Sequence, residues 1–104
     1  MQEPAVVSMM RIKGDPDELV AKARATIEPV ADQKAAQYGA ISSTIVKTDD
    51  GIMIVNFWAN EEGRHRMADD PDVRRALQEA NFPPPGFEGY PVLAHRTVAT
   101  AGVR

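Results

Sequence analysis

The feature that most constrains the fold of this chain is a tight turn, Asp49-Asp50-Gly51, between two β-prone runs. Residues 40–48 precede the turn and are rich in Ile, Val, Thr and Ser, and residues 52–60 follow it. An Asp-Gly pair between two such runs is the strongest short-range signal for a β-hairpin. The sequence therefore predicts two antiparallel strands in the middle of the chain.

Helix-start signals lie on both sides of this hairpin. Asp15-Pro16 and Asp70-Pro71 each place a capping aspartate directly before a proline. Proline fits the first helical position because its missing N–H would have no partner there, and the aspartate accepts from the free N–H groups that follow. The second helical region opens at residues 60–62 and starts again at Asp70, so we expect it to consist of two pieces.

The first helix carries an apolar stripe at spacings of three and four residues that runs as far as Tyr38. Gly39 fits its C-terminal cap. Pro29 lies inside the pattern, where it removes a backbone donor and crowds the preceding turn, so we expect a kink or a break into two helical pieces.

Two further strands are expected at the ends of the domain. The segment of residues 5–12 is short and mostly apolar, which predicts the first strand. Residues 82–90 combine three consecutive prolines with two glycines, which predicts a stiff loop. We therefore place the last strand at residues 91–100 and a frayed tail at residues 101–104.

The resulting order, β-α-β-β-α-β, predicts an α+β, ferredoxin-like fold, an antiparallel four-stranded sheet with two helices on one face. The length of 104 residues suits one domain over residues 1–104, with a core at about 5–99. The two strands expected at the centre are apolar on both faces, as Ile54 and Val55 illustrate. Because two helices cover only one face, we predict a homodimer with its sheets packed face to face. The alternative is a monomer in which the proline loop or the N-terminal residues cover that face.

Charge and cysteine content exclude several classes of function. The chain has 12 Lys+Arg against 15 Asp+Glu and no basic run, so we expect neither a nucleic acid nor a membrane partner. It has no cysteine, which excludes disulfides, thiolate nucleophiles and Cys-ligated metals. Neither a signal peptide nor a long apolar stretch is visible, so a cytoplasmic location is expected.

Residues 55–62, with the sequence VNFWANEE, resemble the Trp-x-Ser/Asn-x-Glu junction of the antibiotic biosynthesis monooxygenase-like (ABM) family. Residues 67–73 resemble the proline-restarted second helix of that family. The resemblance implies a dimeric α+β barrel and, in one branch, oxidation of phenolic polycyclic substrates without a cofactor. The haem-degrading branch uses a first-strand Asn, the strand Trp and a helix His nine residues beyond it. Here Trp58 matches, but Met10 and Met67 occupy the other two positions, so we reject haem degradation and expect no cofactor.

A candidate site follows from the strand that ends in Trp58. Asn56 lies on the same side of this strand, and its amide either hydrogen-bonds within the sheet or orients a ligand. Trp58 either lines a cleft or belongs to the core. His65, with Glu61 and Asp69 one turn away, either forms an acid–base or metal-like group or lies on a solvated helix face.

The candidate residues fall into two sets, with no metal site. Catalytic roles are predicted for Asn56, Trp58 and His65, and contacts to a hydrophobic small-molecule substrate for Met10, Ile54, Met67 and Tyr90. Tyr90, with Phe82 and Phe87, either forms a lid over the pocket or anchors the proline loop. The second histidine, His95, is expected on the last strand. With these residues, the resemblance to the ABM family implies a cofactor-independent monooxygenase, and the alternative is a non-catalytic small-ligand binding or interaction module.

Overall fold

A computed structural model of the protein describes residues 3–98 and places four strands and three α-helices there. The strands are β1 (Val6–Lys13), β2 (Ala40–Thr48), β3 (Gly51–Trp58) and β4 (Gly86–Pro91). The helices are α1 (Pro16–Lys34), α2 (Glu61–Asp69) and α3 (Pro71–Ala80), and a short 3-10 helix (Ala35–Tyr38) follows α1.

The four strands form one sheet in the order β2-β3-β1-β4, and every neighbouring pair is antiparallel. β1 and β3 are therefore central, with Met10 opposite Ile54 and Ser8 opposite Asn56. The hairpin between β2 and β3 turns at residues 49–50, as predicted. This arrangement confirms the ferredoxin-like α+β fold, and the second helical region consists of two pieces, α2 and α3, as expected.

The helix ends follow the capping chemistry in the sequence. The Asp15 carboxylate accepts a hydrogen bond from the Glu18 N–H at 3.0 Å, and the Asn60 side chain caps α2. The Asp70 carboxylate accepts from the N–H of Asp72 at 2.8 Å and so begins α3. Gly39 ends the helical segment at φ 82°, in the left-handed region where glycine carries no Cβ penalty.

The expected break of the first helix at Pro29 is wrong, since α1 runs without interruption from Pro16 to Lys34. Pro29 lies on the exposed side of α1. Ala25, whose carbonyl loses its helical donor to the proline, is exposed as well, so water satisfies that carbonyl and the helix continues.

The position of the last strand is also corrected. β4 covers residues 86–91, so all but its last residue lie in the segment expected to be a loop, and residues 92–98 contain no strand. β4 is an edge strand that pairs only with β1, and an edge tolerates Gly86, Gly89 and Pro91 because one side of its backbone needs no partner. His95 consequently lies outside the sheet ladder. The predicted tail and the last residues of the predicted strand and core, residues 99–104, lie outside the described residues.

The core lies between the helices and one face of the sheet. Its central cluster joins Ile12 of β1, Leu19 of α1, and Ile52 and Ile54 of β3. Phe82 packs against this cluster after α3, so it anchors the start of the proline loop. No helix within residues 3–98 is long and apolar enough to cross a membrane.

Candidate functional site

A cleft of about 720 Å³ opens between α1 and the sheet, on the side of the edge strand β2. Side chains of β1, β2 and β3 form its floor, among them Met10, Ile45, Ile54, Asn56 and Trp58. One face of α1 forms the wall, through Val20, Ala23, Ile27 and Ala31, and Met67 of α2 contributes as well. A cleft of this size with mostly apolar walls suits a small hydrophobic molecule.

Charged side chains border the apolar wall on α1. Arg24, Glu28 and Asp32 follow one another at intervals of four residues along the helix and also line the cleft. Arg24 Nε lies 3.8 Å from Glu28 Oε2, and both side chains are largely exposed. The charges therefore lie at the solvent side of the cleft. The floor is mostly apolar, and its polar residues are Ser42 at the exposed edge and one row of residues across the sheet.

That row runs across the sheet from β2 to β1, and its members on β2 and β3 line the cleft. The antiparallel register places Ser43 opposite Asn56, and Asn56 opposite Ser8. We refer to Ser43, Asn56 and Ser8 as the polar row. Residues that face each other across an antiparallel pair share one face of the sheet with their Cβ atoms about 5 Å apart, so the three polar side chains are immediate neighbours.

Trp58 contributes its ring to the cleft, and its N–H is already bonded. The side chain is only 6% exposed, and Nε1 donates a hydrogen bond to Ser8 Oγ at 2.9 Å. Ser8 is not among the site residues predicted from the sequence, because there it is a single polar residue in an apolar strand. The register that pairs it with Asn56 is the signal that identifies it.

The Asn56 amide has no such bond. Its side chain is half-buried, lines the cleft, and forms no hydrogen bond to another residue in the described part of the chain. An amide carries two donors and two acceptor sites, so Asn56 offers unsatisfied hydrogen-bonding groups to whatever occupies the cleft. Ser43, its neighbour on the polar row, also lines the cleft without a side-chain partner among residues 3–98.

Five of the seven candidate residues meet in this cleft, and two do not. Met10, Ile54, Asn56, Trp58 and Met67 line it together.

His65 lies on the solvated face of α2, where its side chain is 63% exposed and Nε2 is 2.9 Å from Glu61 Oε1. Tyr90 is paired with Val7 and so faces the other side of the sheet. Its hydroxyl donates to Glu88 Oε2 at 2.8 Å, and this bond raises the pKa of Tyr90.

The alternating side chains of the strands explain the position of Tyr90. β4 begins at Gly86 and not at residue 91, and its register with β1 puts Tyr90 beside Val7, which separates it from Phe57, on the face away from the helices. His95 is on that side as well, with its ring centroid 6.1 Å from that of Phe57. Neither histidine of the sequence therefore lines the cleft.

Arg64 of α2 was not identified from the sequence. Its guanidinium lies against Gly89 of β4, the residue opposite Ser8, and so covers the end of the polar row on the far side from the cleft. One of its terminal nitrogens binds Glu61 and thereby lowers the pKa of that carboxyl. The Nε atom of Arg64 is buried without a hydrogen-bond partner among the described residues.

A second polar cluster fixes the junction between α2 and α3. Asp70 is 6% exposed and accepts hydrogen bonds from the Tyr38 hydroxyl at 2.6 Å and from Lys34 Nζ at 3.0 Å. The Tyr38 hydroxyl and the Lys34 ammonium hold the pKa of the Asp70 carboxyl well below its usual range. Hydrogen bonds to Asp72 and Asp70 raise the pKa of Lys34. The cluster ties the end of α1 to α3, and so holds Met67 against the cleft.

Solved structures with the same fold are readily found. The chain is similar to a dimeric ferredoxin-like protein from an uncultured marine organism (TM-score 0.68, 14% identity), over 93% of this chain and 95% of that one. It is also similar to a Deinococcus radiodurans protein described as an antibiotic biosynthesis monooxygenase (TM-score 0.65, 16% identity), over 90% and 98% of the two chains.

A third similar structure is SnoaB, a cofactor-independent oxygenase from Streptomyces nogalater (TM-score 0.59, 17% identity), over 94% of this chain and 98% of that one. No protein-family model and no curated protein matches the sequence. At these identities the likeness establishes the fold, which is that of the ABM-like dimeric α+β barrel proteins, as the sequence predicted.

Proposed function

We propose that the cleft beside Trp58 binds a hydrophobic aromatic small molecule and that the protein oxidises this molecule with dioxygen, as a cofactor-independent monooxygenase. The observation that carries the proposal is the Asn56 amide on the mostly apolar floor of the cleft, which forms no side-chain hydrogen bond to any residue from 3 to 98. Solvent reaches this half-buried amide through the open cleft, and a ligand oxygen that displaces the solvent can accept a hydrogen bond from it. The likeness to SnoaB, itself a cofactor-independent oxygenase, supports the same chemistry.

In this proposal the ligand contributes the electrons and the protein contributes orientation. A phenolic substrate that loses its proton to solvent water becomes electron-rich and can react with dioxygen directly. Oxidation of an activated ring methylene to a carbonyl consumes one dioxygen, transfers four electrons from that carbon and releases one water, so no external reductant is needed. Asn56 hydrogen-bonds the substrate oxygen, and the Trp58 ring holds the aromatic plane against the sheet.

Oxygen uptake tests the proposal directly. Anthrone has a ring methylene that its enol form activates, and it is a suitable probe in an oxygen-electrode assay corrected for uptake without protein. We expect Asn56→Ala and Trp58→Phe to lower the protein-dependent rate at least tenfold while the far-ultraviolet circular dichroism is retained. Thr26→Ala is the matched control, because Thr26 lies on α1 outside both the cleft and the sheet, and its hydroxyl donates to the Lys22 carbonyl oxygen of the same helix. Equal rates in all four proteins would contradict the proposal.

A non-catalytic binding module is the second candidate, and the positions of the histidines favour it. His65 is exposed on α2 and His95 lies on the opposite side of the sheet, so neither is placed to take a proton from a molecule in the cleft. The two candidates differ in one measurement. Saturable binding of anthrone to the cleft without any protein-dependent oxygen uptake would identify a binding module.

We further propose that two copies of the chain pack sheet to sheet. The face of the sheet away from the helices carries Val7, Met9, Val55 and Phe57, all half-buried in the single chain. The similar protein from the marine organism is dimeric, which supports this assembly. A second copy of the same apolar face is the simplest partner of matching chemistry.

Size-exclusion chromatography with light scattering tests the dimer. We expect twice the 11.4 kDa chain mass at micromolar concentration. Val55→Glu places a charge at the centre of the proposed interface and should give the monomer mass, whereas Gln33→Glu on the exposed surface of α1 should not. A monomer mass for the unaltered protein would contradict the proposal.

A further inference from the structure

The polar row gives the cleft a specific point of recognition. Ser43 and Asn56 face each other across β2 and β3, and both line the cleft. Apolar side chains flank them on the same face of the sheet, with Ile45 and Ile54 in the next row on one side and Trp58 on the other. The central part of a planar ligand on this floor would lie over the polar row, and its two ends would contact the apolar rows on either side.

The hydrogen-bonding groups available to such a molecule can be counted. The Trp58 N–H is directed to Ser8 Oγ, so the indole presents only its apolar ring to the cleft. Ser8 accepts this bond and lies beyond Asn56 from the open side of the cleft. Ser42 also lines the cleft, but it is paired with Phe57 and its side chain belongs to the other face of the sheet. Ser43 and Asn56 are therefore the adjacent floor residues whose hydroxyl and amide bond to no other side chain within residues 3–98.

We infer that Ser43 and Asn56 together bind one oxygen of the ligand, a phenol or phenolate oxygen, and that Ser43 thereby determines how the ligand is oriented. This inference rests on the proposed function, since it assumes that an aromatic molecule occupies the cleft. A phenolate oxygen accepts two or more hydrogen bonds, and donors about 5 Å apart at their Cβ atoms can converge on one acceptor. The oxygen then lies over the polar row, and the rings lie over the apolar rows.

Matched ligands test the inference. We propose to titrate ¹⁵N-labelled protein with 1-naphthol and with naphthalene, which differ only in the hydroxyl group. Trp58 is the only tryptophan of the chain, so its single indole N–H signal reports occupancy of the cleft for both ligands. The loss of one hydrogen bond to a ligand weakens binding about fivefold.

We expect Ser43→Ala to weaken 1-naphthol binding about fivefold and to change naphthalene binding less than twofold. Ser43→Thr keeps the hydroxyl and should retain most of the affinity for 1-naphthol. Thr44→Ala, the neighbouring substitution on the other face of β2, should affect neither ligand. This combination separates a hydrogen bond from a general effect on the edge strand.

Two results would overturn the inference in distinguishable ways. If both ligands bind but Ser43→Ala weakens them equally or not at all, Ser43 has no role in recognition and the proposed function stands. If neither ligand shifts the Trp58 indole signal of the unaltered protein, the aromatic-binding function fails and the inference fails with it.

Discussion

Ser8→Ala should destabilise the protein by removing the acceptor of the Trp58 indole N–H. The bond is 2.9 Å long, and Trp58 is only 6% exposed, so water cannot easily replace the serine hydroxyl. A buried donor without a partner costs about 1–3 kcal/mol. With about 2 kcal/mol lost from a domain of this size, the melting temperature should fall by roughly 10 °C. A loss of about 2 kcal/mol is a large share of a total stability of roughly 5–15 kcal/mol.

A double-mutant cycle isolates the bond from the other effects of each substitution. Trp58→Phe removes the indole N–H, so Ser8→Ala in that background leaves no unpaired donor and should cost less than about 0.5 kcal/mol. Urea unfolding followed by far-ultraviolet circular dichroism measures all four proteins at one concentration. Ser42→Ala, an exposed serine of β2, is the control and should change stability by less than about 0.5 kcal/mol. An equal loss in both backgrounds would refute the reasoning.

Three further predictions concern the scaffold and the histidine. The hydrogen bonds from Tyr38 and from Lys34 hold the pKa of Asp70 low in the folded state. The carboxylate therefore contributes fully to the free energy of unfolding above the usual pKa of an aspartate, and this contribution is lost as the pH falls below that value. Asp70→Asn should therefore flatten the decline in stability between about pH 5 and pH 2, and an unchanged decline in thermal melts would contradict this. Gly63→Ala should cost at least about 2 kcal/mol, since a Cβ there would overlap the Tyr38 carbonyl oxygen; a stability gain in urea unfolding would show that the helix accommodates it. His65→Gln should leave anthrone oxidation and binding within twofold, because the imidazole is exposed outside the cleft, and a tenfold loss of rate would assign it a role.

The fold was largely predictable because its signals are local. The caps at Asp15 and Asp70, the Asp-Gly turn at Gly51 and the two-sided apolar pattern of residues 52–58 each act over a few residues, and together they define the element order. The last strand was misplaced because its local signal is poor. β4 consists of glycine, proline and exposed side chains, and it forms through pairing with β1, a partner more than 70 positions away.

The candidate site was predictable only in part. The alternation of side chains along β3 by itself put Asn56 and Trp58 on one face with Ile54, because the period of a strand is two. Ser43 and Ser8 could not be recognised in this way, since their significance lies in the register between strands. His65 and Tyr90 illustrate the converse, because the sequence analysis assigned both to the site but each lies away from the cleft in the fold.

The sequence by itself thus determined which elements form, their order and the apolar surplus on the central strands, because capping, turn geometry and alternation are properties of neighbouring residues. The tertiary structure alone decided which polar groups share the floor of the cleft and which of them are already bonded. The indole of Trp58 and the amide of Asn56 are two residues apart in one strand, yet only the register with β1 and β2 gives the first a partner and leaves the second free.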